Sequence, residues 1–207
     1  MRILVPSSEI LTPLDGDAIL RHIELCGRVC YKSEGLMTED SAERFVRGII
    51  KRGHEAVLEH FSFSVRFIVD RGVSHEIVRH RLASYCQEST RYCNYADDKF
   101  GEEITIIKPY YLKEDSFPYN EWYWACANAE TAYLNLLSSG CSPQGARAVL
   151  PNSLKTELIM TANLREWRHF FKLRTASAAH PQMREVTIPL LREVQRKIPV
   201  VFEDIEV

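Results

Sequence analysis

RHRLASYCQESTRY, residues 79–92, packs three arginines, a histidine, two serines and two tyrosines into fourteen residues. The residues before it, VSHEIV at 73–78, read as a helix with Val73 and Ile77 one turn apart on an apolar face. Val78 then leads into Arg79, His80 and Arg81. Three adjacent cationic or protonatable side chains cannot share one helix face. The cluster therefore suits the end of an element that surrounds a bound group. A guanidinium binds phosphate with paired hydrogen bonds, which a lysine point charge does not copy. Ser84, Ser89 and Thr90 add hydroxyls, and Arg91 adds another guanidinium. Two readings stand open here: a docking surface for phosphorylated ligands, and a solvated basic turn.

On the N-terminal side, FSFSVRFIV at 61–69 alternates strictly and predicts a strand with one polar face. Before it, GHEAVLEH at 53–60 brackets two glutamates with two histidines, but the histidine spacing matches no zinc pattern. Ala42, Phe45, Val46, Ile49 and Ile50 give a helix over 38–52 that stops at Gly53. A helix is expected over 17–30, where Ile19, Ile23, Cys26 and Cys30 recur at helical spacing, so both cysteines are expected to face the core. RILVP at 2–6 reads as a short strand.

On the C-terminal side, 97–103 reads as a charged loop and ITII at 104–107 as a short strand. Pro109 and Pro118 mark a connector over 108–118, the expected boundary between two lobes. A long helix over 120–137 carries Trp122, Trp124, Cys126 and Tyr133, an aromatic stripe that suits core or oligomer contact better than base stacking. In 142–151, Ser142 sits at an N-cap position and the short helix presents Arg147. A buried strand is expected over 155–162. Asn163 then caps a helix with Glu166 three residues on. Its periodicity puts Leu164, Trp167, Phe170, Phe171 and Leu173 inward, and Arg165, Arg168, His169, Lys172 and Arg174 outward. His180-Pro181 opens the last helix, with Pro189 expected to kink it and Pro199 to end it.

The chain has 207 residues, enough for one full core or two small lobes. Its net charge of −2 argues against a general nucleic-acid binder and favours local sites for small anions. Six cysteines without a C-x-x-C pair, and no visible signal peptide, predict free thiols in the cytoplasm. No apolar run approaches membrane-spanning length, so no membrane partner is expected.

The spacing Arg79-His80-Arg81, then Ser89, then Arg91-Tyr92, resembles the signature of the flavin-dependent thymidylate synthases. A Gly-His segment at 53–60, the run ARAVLPN at 146–152, and Asn163, Arg165, Arg168-His169-Phe170 and Arg174 resemble further family motifs in family order. The resemblance covers Gly53 to Arg184. Two positions depart from many relatives: Cys86 stands where asparagine is frequent, and Glu76 where glutamine is frequent. A carboxylate beside a nucleotide phosphate is unfavourable.

The resemblance implies an α+β fold, with a central, mostly antiparallel sheet packed by helices and an additional helical lobe. It implies one catalytic domain over 1–207, and a homotetramer with flavin at subunit interfaces. The implied reaction methylates dUMP to dTMP, with methylene-tetrahydrofolate as carbon donor, FAD as cofactor, NADPH as reductant and no metal. It implies Arg174 and Ser89 as catalytic residues, although no base adjoins Ser89 in sequence. FAD contacts are implied at His54, Ala56, Glu59, Arg79, His80, Arg81, Gln87, Asn163, Arg165 and His169. Nucleotide contacts are implied at Glu76, Arg79, Gln87, Glu88, Ser89, Thr90, Arg91, Arg147 and Arg174. No G-x-G-x-x-G fingerprint is present, so the arginines must replace a Rossmann phosphate site. Two other classes compete: a flavoprotein that oxidises NADPH without methyl transfer, and a single-stranded nucleic-acid module using 79–92 with the aromatics at 122–124.

Overall fold

The alternation at 61–69 becomes a strand, Ser62–Asp70, with Phe63, Val65, Phe67 and Val69 all buried. In this computed structural model, which describes residues 1–207, it is β3 of six strands. The others are β1 (Arg2–Leu4), β2 (Ser7–Ile10), β4 (Ala83–Gln87), β5 (Thr105–Ile107) and β6 (Lys155–Asn163). The helices are α1 (Gly16–Val29), α2 (Ser41–Lys51), α3 (Arg71–Ile77), α4 (Phe117–Ser138), α5 (Pro143–Ala146), α6 (Leu164–Arg174), α7 (Pro181–Lys197) and α8 (Pro199–Phe202).

Four strands form a sheet in the order β2-β3-β6-β4, and β1 pairs in parallel with β5. Hydrogen bonds link Leu164 to Phe61, Ser64 to Thr161 and Arg71 to Leu154, so β3 and β6 run antiparallel. Leu11 bonds Ser64, and Glu9 pairs with Arg66, so β2 and β3 are antiparallel too. The mixed α+β class and the antiparallel sheet expected from the family resemblance are both present.

The chain divides into two compact units. The first holds Met1–Ser7, Phe67–Arg79 and Cys86–Leu158; the second holds Ser8–Arg66, His80–Tyr85 and Ile159–Val207. The connector at 108–118 lies inside the first unit rather than at a passage between the two, and the Lys108 N–H donates to Leu4 there. The core of the first unit gathers Tyr95, Ile104, Ile106, Cys126, Tyr133 and Leu154. The long helix α4 sends Tyr133 and Cys126 into that core, whereas Trp124 is 62% exposed.

The core of the second unit is aromatic. Trp167 stacks on Phe63 at 4.8 Å and donates its indole N–H to the Phe63 carbonyl at 3.1 Å. Helices α1 and α2 close on each other at Gly27, where a Cβ would meet the Phe45 ring at 2.6 Å. Gly53 ends α2 with φ +70°, a conformation that glycine adopts without strain. No helix is long and apolar enough to cross a membrane.

The structure corrects several expectations. Cys30 is exposed, because α1 ends at Val29 and Cys30 lies beyond its last turn; Cys26 is half-buried beside His22. The helix opened by Pro181 does end at Lys197, just before Pro199, but it is not the last one, because Pro199 also starts α8. Leu173 is exposed and Arg168 buried, the reverse of the predicted helix faces.

Candidate active site

The second unit builds its site on both ends of α6. At the N-terminus, the Asn163 side chain accepts the Glu166 N–H at 2.9 Å, as the cap spacing predicts. The Glu166 carboxylate does not reach back to complete a capping box. It is buried, and it accepts from His80 Nδ1 at 2.9 Å and from His169 Nδ1 at 3.2 Å. His80 is 3% exposed, with its ring packed edge-on against Phe170. At the other end of the helix, Arg174 donates its Nε–H to His80 Nε2 at 3.0 Å.

This chain of bonds fixes the state of His80. An arginine Nε can only donate, so Nε2 of His80 carries a lone pair and Nδ1 carries the proton. Burial pushes the His80 pKa down, opposed by the Glu166 hydrogen bond and reinforced by the Arg174 charge. His80 is therefore neutral, with both ring nitrogens engaged inside the protein. Tyr85 donates its hydroxyl to the His80 carbonyl at 2.9 Å, and burial pushes its pKa up to about 12, so it remains a donor.

The depressed pKa of His80 also links stability to pH. The unfolded His80 takes up a proton near its ordinary value of 6.5, while the folded form does so only at lower pH. The stabilisation is complete above the ordinary value and is lost as pH falls through it toward the depressed value. Urea unfolding at roughly pH 7.5 and 5.5 should show this acid loss in the wild type and a smaller loss in His80→Gln.

Beside these groups lies a cavity of about 490 Å³ lined by Glu59, Arg81, Leu82, Asn163, Arg165, His169 and Lys172, among others. Leu82 is 81% exposed and offers apolar surface. Arg165 pairs with Glu59 at 2.7 Å, an exposed pair that exchanges partners at little cost. Arg168 does not serve as a free cation. It is buried, donating to both Asp204 oxygens at 2.7 Å, to Glu55 and to the Val201 carbonyl. His54 and Ala56 are exposed on the 3₁₀ segment that begins after His54 and carries Glu59.

The first unit holds the remaining expected residues. Arg79 is exposed and Glu76 half-buried at the end of α3. Gln87 donates to the Ser74 and Thr156 hydroxyls, at 3.0 and 3.2 Å. The Glu88 carboxylate is engaged inside the fold, accepting from Lys155 at 2.8 Å, Tyr95 at 2.9 Å and the Glu157 N–H at 3.2 Å. Its side chain ties the end of β4 to β6. Ser89 Oγ accepts the Arg91 N–H at 3.3 Å, and Arg91 donates to Gln144 at 2.9 Å. Neither contact gives Ser89 a base. Thr90 and Arg147 line a recess of about 270 Å³ with Arg71, His75 and Asn152.

Residue types and spacing did not single out Glu166, Leu82, Lys172, Arg71 or His75 as site residues. Glu166 left one signal, its place in the cap, but nothing in that spacing says that its carboxylate turns inward to two histidines.

The fold and these cationic recesses define an α+β protein suited to small anionic ligands. The family described as thymidylate synthase complementing protein matches residues 17–200. A flavin-dependent thymidylate synthase of Geobacter sulfurreducens is 34% identical, over 90% of this chain and 85% of the relative. Another, from Mycolicibacterium gilvum, is 34% identical over 98% of this chain and 85% of the relative. The chain belongs to the flavin-dependent thymidylate synthase family of enzymes. A solved UMP/dUMP methylase of Streptomyces cacaoi, bound with 5-Br dUMP, shares the fold. It has a TM-score of 0.79 and 22% identity, over 98% of this chain and 96% of that one.

Proposed function

We propose that this chain is a thymidylate synthase that converts dUMP to dTMP. It takes the carbon from methylene-tetrahydrofolate and uses FAD reduced by NADPH. Residues 1–207 act as one catalytic domain, in a cytoplasmic homotetramer. The reading rests chiefly on one observation: Arg174, the family's pyrimidine-polarising arginine by motif, is bonded to His80, whose partner Glu166 lines a cavity that also carries Arg81, Arg165 and Lys172.

The donor set of that cavity fits FAD. Arg81, Arg165 and Lys172 supply charge for a pyrophosphate, the Asn163 amide supplies a neutral polar group, and Leu82 supplies apolar surface for a flat ring. His169 joins them through its exposed imidazole. When bound, the flavin supplies the hydride that converts the transferred carbon to a methyl group. Glu59 lines the same cavity, and His54, Ala56, Arg79 and Gln87 are assigned to the cofactor by the family motif.

The nucleotide is read by Arg147, Thr90, Ser89 and Arg91, which present guanidinium and hydroxyl donors to a phosphate dianion. The family motif assigns Glu76 to the nucleotide as well, but its carboxylate is not one of the phosphate donors. Arg174 acts on the pyrimidine. A permanent cation at the N3/carbonyl edge stabilises negative charge that grows as the ring becomes nucleophilic. Its effect is electrostatic rather than acid–base. Ser89 has no base among its contacts and serves as a hydrogen-bond donor to the nucleotide.

No enzyme thiolate is needed in this scheme. Cys86 is exposed on β4 and Cys93 half-buried just beyond the signature. Cys86→Ala and Cys93→Ala should each hold turnover within about threefold of wild type. Abolished turnover in either variant, with flavin still bound, would point to a covalent adduct instead. The reaction itself is tested by chromatography of the nucleotide pool: dTMP should appear only when dUMP, methylene-tetrahydrofolate and NADPH are all present. NADPH oxidation without dTMP would leave a flavoprotein of another kind.

A further inference from the structure

We propose that His80 is a positioning residue for Arg174: the buried Glu166 carboxylate holds it as the Nδ1–H tautomer, and its Nε2 lone pair orients the guanidinium. The inference rests on the role given to Arg174 above and adds a residue to that role.

The Nε–H of Arg174 donates to His80 Nε2 at 3.0 Å, and His80 Nδ1–H donates to Glu166 at 2.9 Å. The direction of the second bond dictates that of the first. If the proton moved to Nε2, two donors would face each other and the bond to Arg174 would be lost. A doubly protonated ring would fail in the same way and would add like charge beside the guanidinium.

The ring has little freedom to turn. The Tyr85 hydroxyl holds the His80 carbonyl at 2.9 Å, and Phe170 packs on the ring at 4.9 Å between centroids. Glu166 is fixed in turn by the cap bond from its own N–H to Asn163. The relay therefore runs from a helix N-cap, through a buried carboxylate and a neutral imidazole, to the last residue of the same helix. Two expected flavin contacts thus act here on the arginine: His80 directly, and Asn163 through Glu166.

A guanidinium on a long, flexible stem loses much of its effect if it is free to wander, because a misplacement of about 1 Å can cost about 100-fold in rate. Removing His80 should accordingly lower kcat more than it raises KM for dUMP, with flavin content unchanged.

The test uses the full-length holoenzyme with His80→Leu, His80→Gln, Arg174→Ala and the double variant His80→Leu/Arg174→Ala. His80→Leu should lose about 100-fold in kcat. A glutamine amide can donate to Glu166 and accept from Arg174, so His80→Gln should recover to within about tenfold of wild type. Once Arg174 is gone, His80→Leu should cost less than about threefold more, because the two residues act as one unit. Wild-type turnover in His80→Leu, or losses that multiply in the double variant, would overturn the proposal.

Should His80→Leu fail to fold, NMR of the ring nitrogens in the wild type still decides. A neutral ring protonated at Nδ1, whose Nε2 resonance moves in Arg174→Ala, supports the relay; an Nε2–H tautomer or an imidazolium refutes it. That spectrum does not depend on which reaction is catalysed. If the wild type makes no dTMP, the functional reading fails while the His80–Arg174 bond remains measurable.

Discussion

Arg174→Ala should lose about 100- to 1,000-fold in turnover while keeping its flavin. The loss follows from removing a fixed positive charge aimed at a developing anion, an effect confined to the transition state. Arg174→Lys should restore only part of it. A lysine keeps the charge, but it has no planar fork and no Nε–H to donate to His80. The measurement is dTMP formation at saturating dUMP, paired with visible absorbance for bound flavin. Near-normal turnover in Arg174→Ala would remove the arginine from the chemistry. Loss of the flavin along with turnover would make it a cofactor ligand instead.

The largest effect on stability should come from Arg168→Ala. Its guanidinium is buried and satisfies both Asp204 oxygens, Glu55 and the Val201 carbonyl. Removing it orphans those acceptors and should cost about 3–5 kcal/mol. For a chain of this size, that is a drop of roughly 10 °C in Tm. Arg165, one turn earlier in the sequence of α6, makes an exposed pair with Glu59. Arg165→Ala should change stability by about 0–1 kcal/mol. Differential scanning calorimetry of the two variants compares them directly; equal losses would contradict the burial argument.

These two arginines also show what the sequence could and could not convey. Periodicity along α6 correctly turned Trp167, Phe170 and Phe171 inward, because burial of apolar side chains drives the packing of a helix and leaves a 3.6-residue trace. The same periodicity sent Arg168 outward. Its burial depends on acceptors at Glu55 and Asp204, far away in the chain, and such partners leave no local pattern. Glu166 was legible as a cap partner, since capping is a local contact, but its bonds to His80 and His169 were not.

The strands divide along a similar line. β3 and β6 lie inside the sheet and alternate clearly between buried and less buried positions. β2 and β4 lie at its two edges, where SSEI and ASYCQ bury no residue fully, and no apolar alternation announces them. The cluster at 79–81 was legible as a concentration of charge but not in how its members are placed. Arg79 and Arg81 are exposed, whereas the histidine between them is buried and neutral.

Methylation of dUMP with flavin as the hydride source must exchange the hydrogen at the pyrimidine 5-position for a methyl group. Tritium release from 5-tritiated dUMP by the purified protein reads that exchange, with methylene-tetrahydrofolate and NADPH, in the presence and absence of added FAD. Release should depend on FAD and on both co-substrates. No release from flavin-loaded protein that still oxidises NADPH would show that the chain is not a thymidylate synthase.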